Sequence, residues 1–199
     1  MSTRGRLHFV QAARDSAAWL GSLLVALALA GCASVAVVPA DRTYTGRFSA
    51  IATQPDKRDN VSGRFSVEVR GERQTIDLST PLGTTVARIE VGPEGARASG
   101  SGVAETRGPD ADALTEQLLG WRLPVSGLAD WIEGRPAPGR PGRVERDGNR
   151  AVLIEQDGWI VRLAEVFEDG RPRLIVLERP ASPLAPGVVL RLVLDAPAA

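Results

Sequence analysis

Short segments of alternating apolar and polar residues recur through most of the chain, and they constrain its fold more than any other feature. In residues 63–70 (GRFSVEVR), apolar side chains occupy every second position from Phe65 to Val69, with polar side chains between them. This period of two is typical of a β-strand with one face buried. Further segments of this kind are residues 46–52, 75–79, 85–91, 151–156, 159–167, 173–179 and 188–195, with weaker ones within 96–107.

Turn signals separate these segments. Asp157-Gly158 and Glu168-Asp169-Gly170 are typical of tight hairpins, and the polar residues 53–62 are expected to form a loop. The sequence GRFS occurs twice, at Gly46 and Gly63, and pairing within one hairpin would explain the repeat. About nine to eleven strands joined by tight turns predict an antiparallel sheet that curls. The pattern alone leaves open whether the sheet closes into a barrel.

The alternation is interrupted once, by two segments with helical spacing. Residues 110–119 (DADALTEQLL) carry leucines one turn apart and acidic residues in the first turn, and Gly120 follows. Residues 126–133 (SGLADWIE) have a second apolar face. Residues 135–142 contain three prolines and two glycines and are expected to be a loop. The two short helices are therefore predicted to lie over the concave side of the sheet.

The N-terminus has the features of a secretory signal. Three arginines precede residues 17–30 (AAWLGSLLVALALA), an uncharged run shorter than the ~20 residues that span a bilayer. Leu29-Ala30-Gly31-Cys32 then resembles the lipobox of bacterial lipoproteins, which implies cleavage before Cys32 and a diacylglyceryl and palmitate anchor on it. The same resemblance implies a sorting rule at the next residue: an aspartate there would favour the inner membrane, and Ala33 therefore predicts the outer membrane. The alternative is an uncleaved anchor helix with a buried cysteine.

These features predict three parts: a signal peptide (residues 1–31), an acylated Cys32 with its tether (32–43) and one domain (44–199). Cleavage would leave 168 residues with a net charge of −2 and would remove His8, the only histidine. Cys32, the only cysteine, would be acylated. A mature chain without histidine or free thiol cannot form Ser-His-Asp or Cys-His nucleophiles or a histidine-ligated metal site. The charge also argues against a nucleic-acid partner. We therefore expect no metal and no cofactor.

Three stretches of the chain together resemble one family. They are Ser79-Thr80-Pro81-Leu82-Gly83-Thr84, Gly120-Trp121-Arg122-Leu123-Pro124-Val125-Ser126-Gly127-Leu128 with Trp131 and Gly134-Arg135-Pro136 after it, and Gln156-Asp157-Gly158-Trp159. With the lipobox in front, the chain resembles the LolB family, the outer-membrane lipoprotein receptors of the Lol sorting pathway. The resemblance implies an incomplete, unclosed antiparallel β-barrel with a helical lid over an apolar cavity. It implies a protein-transport function without enzymatic activity, nucleotide or metal.

The resemblance also implies roles for particular residues. The turn of Pro81, Leu82 and Gly83 would protrude and contact membrane or cargo, whereas an apolar turn is ordinarily tucked against its neighbours. The acyl-chain cavity and lid would comprise Phe48, Phe65, Val67, Ile76, Leu78, Ile89, Leu118, Trp121, Leu123, Leu128, Trp131, Ile132 and Trp159. The same residues could instead form an ordinary core. Trp121 and Trp131 in particular could be a movable lid or plain core.

The implied partners are the periplasmic carrier LolA, acylated lipoprotein cargo and outer-membrane lipid, and we expect a monomer. The implied location is the inner leaflet of the outer membrane, facing the periplasm. Two other classes of function stay open. One is a structural or assembly lipoprotein that binds a protein partner through a sheet edge. The other is a cell-wall hydrolase that uses paired carboxylates, with candidates Glu105, Glu116, Asp130 and Glu133.

Overall fold

The computed structural model describes residues 40–101 and 103–196. The predicted signal peptide, Cys32 and most of the tether lie outside the described residues. Strands make up most of this part of the chain: β1 (Arg42–Thr53), β2 (Arg58–Arg70), β3 (Arg73–Ser79), β4 (Thr85–Gly92), β5 (Gly95–Gly100), β6 (Val103–Gly108), β7 (Gly142–Asp147), β8 (Arg150–Gln156), β9 (Trp159–Val166), β10 (Pro172–Arg179) and β11 (Gly187–Leu194). The helices are α1 (Ala111–Leu119), a 3₁₀ turn (Val125–Gly127) and α2 (Leu128–Ile132).

All eleven strands form one antiparallel sheet, in the order β6-β5-β4-β3-β2-β1-β11-β10-β9-β8-β7. Consecutive strands pair with each other in the sheet, apart from β6 and β7, and β1 pairs with β11 and so joins the two halves. Among the described strands, β6 and β7 are the edges and do not pair with each other. The prediction of a mainly-β, antiparallel and unclosed sheet is therefore confirmed. Residues 109–141, which carry both helices, connect the two edges.

The repeated GRFS sequence lies where β1 and β2 cross-pair. Gly46 is opposite Phe65 and Phe48 is opposite Gly63. A Cβ atom added at Gly46 would come within 2.9 Å of the Phe65 ring, and one at Gly63 within 3.2 Å of the Phe48 ring. Each phenylalanine thus packs over the glycine of the other strand, an arrangement that pins the register of an antiparallel pair.

The core lies on the concave face. Residues at alternate strand positions, such as Val67, Ile154, Val161 and Leu177, have no exposed surface. Helix α1 begins after Asp110, whose carboxylate accepts a hydrogen bond from the Asp112 N–H at 2.9 Å. No helix in residues 40–101 and 103–196 combines the length and the apolar character that crossing a membrane requires.

Two details of the strand prediction are wrong. The loop expected at residues 53–62 is only 54–57, because polar residues at the start of β2 still pair with the end of β1. The sequence pattern does not predict strand β7. Its sequence, GRVERD, has one apolar residue, and it is exposed almost throughout, so it shows no alternation.

Candidate lipid-binding cavity

An apolar cavity of about 280 Å³ lies between the sheet and residues 109–141, the segment that carries both helices and is called the helical segment below. One wall comes from β1 to β5 and β11, and the other comes from α1 and residues 121–128. The strand wall includes small side chains at Ala87 and Ala98, where larger ones would fill the space. The cavity therefore exists because the sheet curves and because some of its inward positions are small.

Most residues predicted for the cavity and lid line this space. They are Phe48, Phe65, Ile76, Leu78, Ile89, Leu118, Trp121, Leu123 and Leu128. Four others pack elsewhere in the core, each at most 2% exposed: Val67, Trp131, Ile132 and Trp159. That acyl chains occupy the cavity stays a prediction.

Several residues line the cavity that the sequence pattern does not predict to do so, among them Val61, Val86, Leu190 and Leu192. The two leucines do alternate along β11. Their place in the cavity depends on the pairing of β11 with β1, which no local pattern reveals. Val61 is 47% exposed and Val86 39% exposed. Two cavity residues that also reach solvent indicate where the cavity opens.

A buried amide clamps α2 to the sheet. The Trp131 indole N–H donates to Gln156 Oε1 at 2.8 Å, and the Ala137 N–H donates to the same oxygen at 2.7 Å. Gln156 Nε2 in turn donates to the carbonyls of Ala137 and Arg140. Gln156 is 3% exposed, so this network is sheltered from water. Trp131 therefore holds the helical segment in place, whereas Trp121 faces the cavity.

A second attachment joins the end of α2 to β1. Arg42 donates to Glu133 Oε1 at 2.8 Å, and the Tyr44 hydroxyl donates to the same oxygen. Burial, together with the hydrogen bond to Glu133, raises the pKa of Tyr44 to about 12. Burial opposes ionisation of Glu133, but the bonds from Tyr44 and Arg42 outweigh it and lower the pKa of that carboxyl. Glu133 is thus held as a carboxylate.

A third attachment lies between α1 and the 3₁₀ turn. The Asp112 carboxylate accepts from the Ser126 N–H at 2.9 Å and from its hydroxyl at 3.1 Å. Burial raises the pKa of Asp112 despite these bonds. Arg140 donates to the Ser126 hydroxyl oxygen at 2.9 Å and pairs with Asp157 at 2.7 Å. Ser126 is therefore hydrogen-bonded both to Asp112 and to Arg140.

The β3–β4 loop, residues 80–84, is a tight turn. The Gly83 N–H donates to the Thr80 carbonyl at 2.9 Å, and Gly83 has a φ of +91°. The Leu82 side chain, at the tip, is 96% exposed. Exposure is what membrane contact requires, and the role of Pro81, Leu82 and Gly83 in delivery stays a prediction.

The carboxylates considered for hydrolysis are paired with arginines. Glu105 pairs with Arg107 at 2.7 Å, Glu116 with Arg122 at 3.1 Å, and Asp130 with Arg135 at 3.2 Å; Glu133 pairs with Arg42. These are the contacts of structural ion pairs. Within the described part of the chain, no three potential ligands among His, Cys, Asp and Glu are grouped to hold a metal ion.

This chain is similar to known proteins over most of its length. Residues 41–196 match the family model "Outer membrane lipoprotein LolB". Outer-membrane lipoprotein LolB of Cupriavidus pinatubonensis is 39% identical over 85% of this chain and 89% of its own length. The corresponding protein of Ralstonia nicotianae is 38% identical over 88% and 96%, and that of Cupriavidus metallidurans 41% identical over 70% and 73%.

A solved LolA superfamily protein from Nitrosomonas europaea is also similar, with a TM-score of 0.42 and 10% identity over 77% of this chain and 84% of that chain. A similarity this weak supports no conclusion by itself. The family model covers nearly all of the described residues. This chain therefore belongs to the LolB family of outer-membrane lipoproteins.

Proposed function

We propose that this chain is a receptor that accepts lipoproteins from the periplasmic carrier LolA and incorporates them into the outer membrane. The cargo's acyl chains enter the apolar cavity beneath the helical segment. The cavity is the observation that carries the proposal, because its walls are almost wholly apolar and the LolB-like residues Trp121, Leu123 and Leu128 form part of them. Cys32, acylated after removal of residues 1–31, anchors the monomer to the inner leaflet, facing the periplasm.

Transfer into the cavity requires no nucleotide. Each methylene moved from water into an apolar site contributes ~0.8 kcal/mol, so binding grows with the chain length enclosed. Handover from the carrier proceeds when this cavity binds the acyl chains more tightly than the carrier does, since a ligand moves toward the site of lower free energy. Membership of a lipoprotein-sorting family also argues against an enzyme.

The loop carrying Leu82 is proposed to act in the last step, delivery into the bilayer. A leucine at the tip of a rigid turn inserts into lipid without unfolding the domain, whereas inserting a carboxylate at that position into lipid is unfavourable.

The alternative of a protein partner added to a sheet edge is less well supported. Both edge strands are six residues long and carry charged side chains. Arg107 pairs with Glu105 on β6, and Arg143 pairs with Glu145 at 2.9 Å on β7. Short, charged edges are the usual protection against added strands.

The test is transfer of a lipoprotein from LolA to the full mature chain carrying Ala98→Leu. Ala98 is 1% exposed and lines the cavity, so the larger side chain occupies the space that an acyl chain would use. We expect acceptance of cargo to fall while the unfolding midpoint stays close to that of the parent.

Ala96→Leu is the matched control. Ala96 is buried on the same face of β5 but does not line the cavity, so cargo acceptance should persist in the folded protein. Normal acceptance by a folded Ala98→Leu variant would contradict the cavity's role.

A further inference from the structure

A second exposed leucine sits on a turn built like the one that carries Leu82. Leu184, in the β10–β11 loop of residues 180–186 (PASPLAP), is 97% exposed. The Ala185 N–H donates to the Ser182 carbonyl at 3.3 Å, and the Ser182 N–H donates to the Ala185 carbonyl at 2.9 Å. Proline presets the first central position of such turns. Leu184, like Leu82, follows a proline at the tip of a hydrogen-bonded turn.

The two turns leave the sheet at the same ends of their strands. Thr53 pairs with Gly187, and Arg179 pairs with Val188, so the β1–β2 and β10–β11 loops emerge together. The β3–β4 loop emerges on the same side, because alternate connections of an antiparallel meander do so.

The cavity opens between these turns. Val86, one of its two half-exposed lining residues, lies just after the Leu82 turn. On the other side, Gly120, residues 53–55 and residues 181–186 line one surface depression. Gly120 ends α1 two residues after Leu118, which lines the cavity. The Leu82 and Leu184 turns therefore flank the entrance.

Exposed apolar side chains are concentrated at this end. Among residues 40–101, 104–118 and 120–196, the large hydrophobic side chains that are exposed are Val61, Leu82, Val86 and Leu184, and all lie at this end. Charged residues occur at both ends: the β1–β2 loop at this end carries exposed Asp56 and Lys57, and the turns at the opposite end carry exposed Glu72, Glu94, Glu168 and Asp169. Single exposed hydrophobic residues are ordinary, but their gathering around one opening marks an interaction surface.

The occupant that fits this surface is a lipid bilayer. Neither leucine loop contains a charged residue. Each presents one aliphatic side chain that is almost wholly exposed, whereas protein interfaces concentrate aromatic residues and arginine in a packed centre. The chain belongs to a family of outer-membrane lipoproteins, so a membrane is the surface beside which it works.

We propose that Leu184 is a second membrane-inserting residue and that the domain docks on the bilayer through both leucine turns, with the cavity entrance between them. The inference rests on the proposed receptor function and deepens its delivery step. With the entrance against the lipid surface, acyl chains pass from the cavity into the membrane without crossing water. Such a path avoids rehydrating their methylenes.

Insertion can be measured directly on the acylated full chain. Its own thiol is acylated, so Leu184→Cys, Leu82→Cys and Glu94→Cys each provide one free thiol for an environment-sensitive fluorophore. The proteins are reconstituted in vesicles of phosphatidylethanolamine and phosphatidylglycerol, with and without a quencher on the lipid acyl chains.

We expect blue-shifted, quenched emission at positions 184 and 82. Glu94, whose side chain is 86% exposed at the opposite end, should report water. A label at position 184 that stays as hydrated as the one at position 94 would overturn the inference.

The functional test separates this inference from the proposed receptor function. Leu184→Glu should lower deposition of cargo into vesicles roughly tenfold, the loss expected when one leucine no longer enters lipid. Acceptance from LolA and the unfolding midpoint should be unchanged, and Leu184→Met should deposit normally.

Normal deposition by Leu184→Glu would refute the role of Leu184 and leave the receptor function standing. Loss of acceptance from LolA, with normal deposition of preloaded cargo, would assign the turn to a protein contact instead. Failure of the parent chain itself to accept cargo would refute the receptor function.

Discussion

Replacing Trp131 and Trp121 in turn should separate holding the lid from lining the cavity. Trp131 is 1% exposed, bonds to Gln156 and does not line the cavity. Trp131→Ala removes a buried ring, at a cost of ~3–5 kcal/mol in the free energy of unfolding. In a domain of this size the loss corresponds to a melting temperature lower by roughly 6–20 °C. Acyl binding by the remaining folded protein should be nearly unchanged.

Trp121→Ala should behave differently, because Trp121 is 5% exposed and its side chain forms part of the cavity wall. Affinity for an acyl ligand should fall even at temperatures where the variant is fully folded. Thermal unfolding by circular dichroism gives the stability, and titration with a fluorescent fatty acid gives the affinity. A Trp131→Ala protein that melts normally but no longer binds the fatty acid would refute this division of roles.

Three further outcomes follow from two single contacts and from the apolar lining of the cavity. The pKa of Glu133 is lower in the folded state than in the unfolded state. The Glu133 carboxylate therefore stabilises the fold fully above its unfolded-state pKa, near 4.5, and this contribution is lost as the pH falls through its folded-state pKa. Glu133→Gln should therefore cost ~1–3 kcal/mol at neutral pH, and urea unfolding at several pH values should show the difference shrinking in acid. Gly63→Ala places a Cβ 2.2 Å from the Ser79 carbonyl oxygen and should lower the free energy of unfolding by ~1–3 kcal/mol. Gly92→Ala is the control, because its Cβ meets only the flexible Arg73 side chain and should change stability little. Equal melting temperatures of the two variants would contradict this expectation. Dye displacement by fatty acids of increasing length should show affinity rising about fourfold per methylene until the cavity is full, and affinity independent of length would exclude an apolar site.

The local sequence pattern predicts the strands of the sheet, but it does not predict which inward-facing residues form the core and which line the cavity. Phe65 and Val67 lie on the same face of β2, and alternation treats them alike. Phe65 lines the cavity and Val67 is fully buried, because the helical segment covers one end of the strand differently from the other. That difference depends on where residues 109–141 cross the sheet, which is a long-range property.

Two other elements show why the remainder could not be predicted. Strand β7 is identified only by its pairing with β8, since its side chains are exposed on both faces. Leu184 stands alone among prolines and alanines, so nothing in its neighbourhood distinguishes it from a linker residue. Its proposed role rests on the position of its loop beside the cavity entrance, which follows from β1 pairing with β11.

The attachments of the helical segment indicate which part of it opens. Trp131 and Glu133 are bonded to the sheet through Gln156 and through Arg42 with Tyr44, so α2 is held at both points. Residues 118–123 have weaker ties: the Leu123 N–H donates to Thr115 Oγ1 at 2.8 Å within the segment itself, and Arg122 forms surface ion pairs. Pairs of that kind contribute little stability in water. The segment should therefore open at Leu118, Trp121 and Leu123, next to the leucine turns, so that the cavity is unsealed on the side that we propose meets the bilayer.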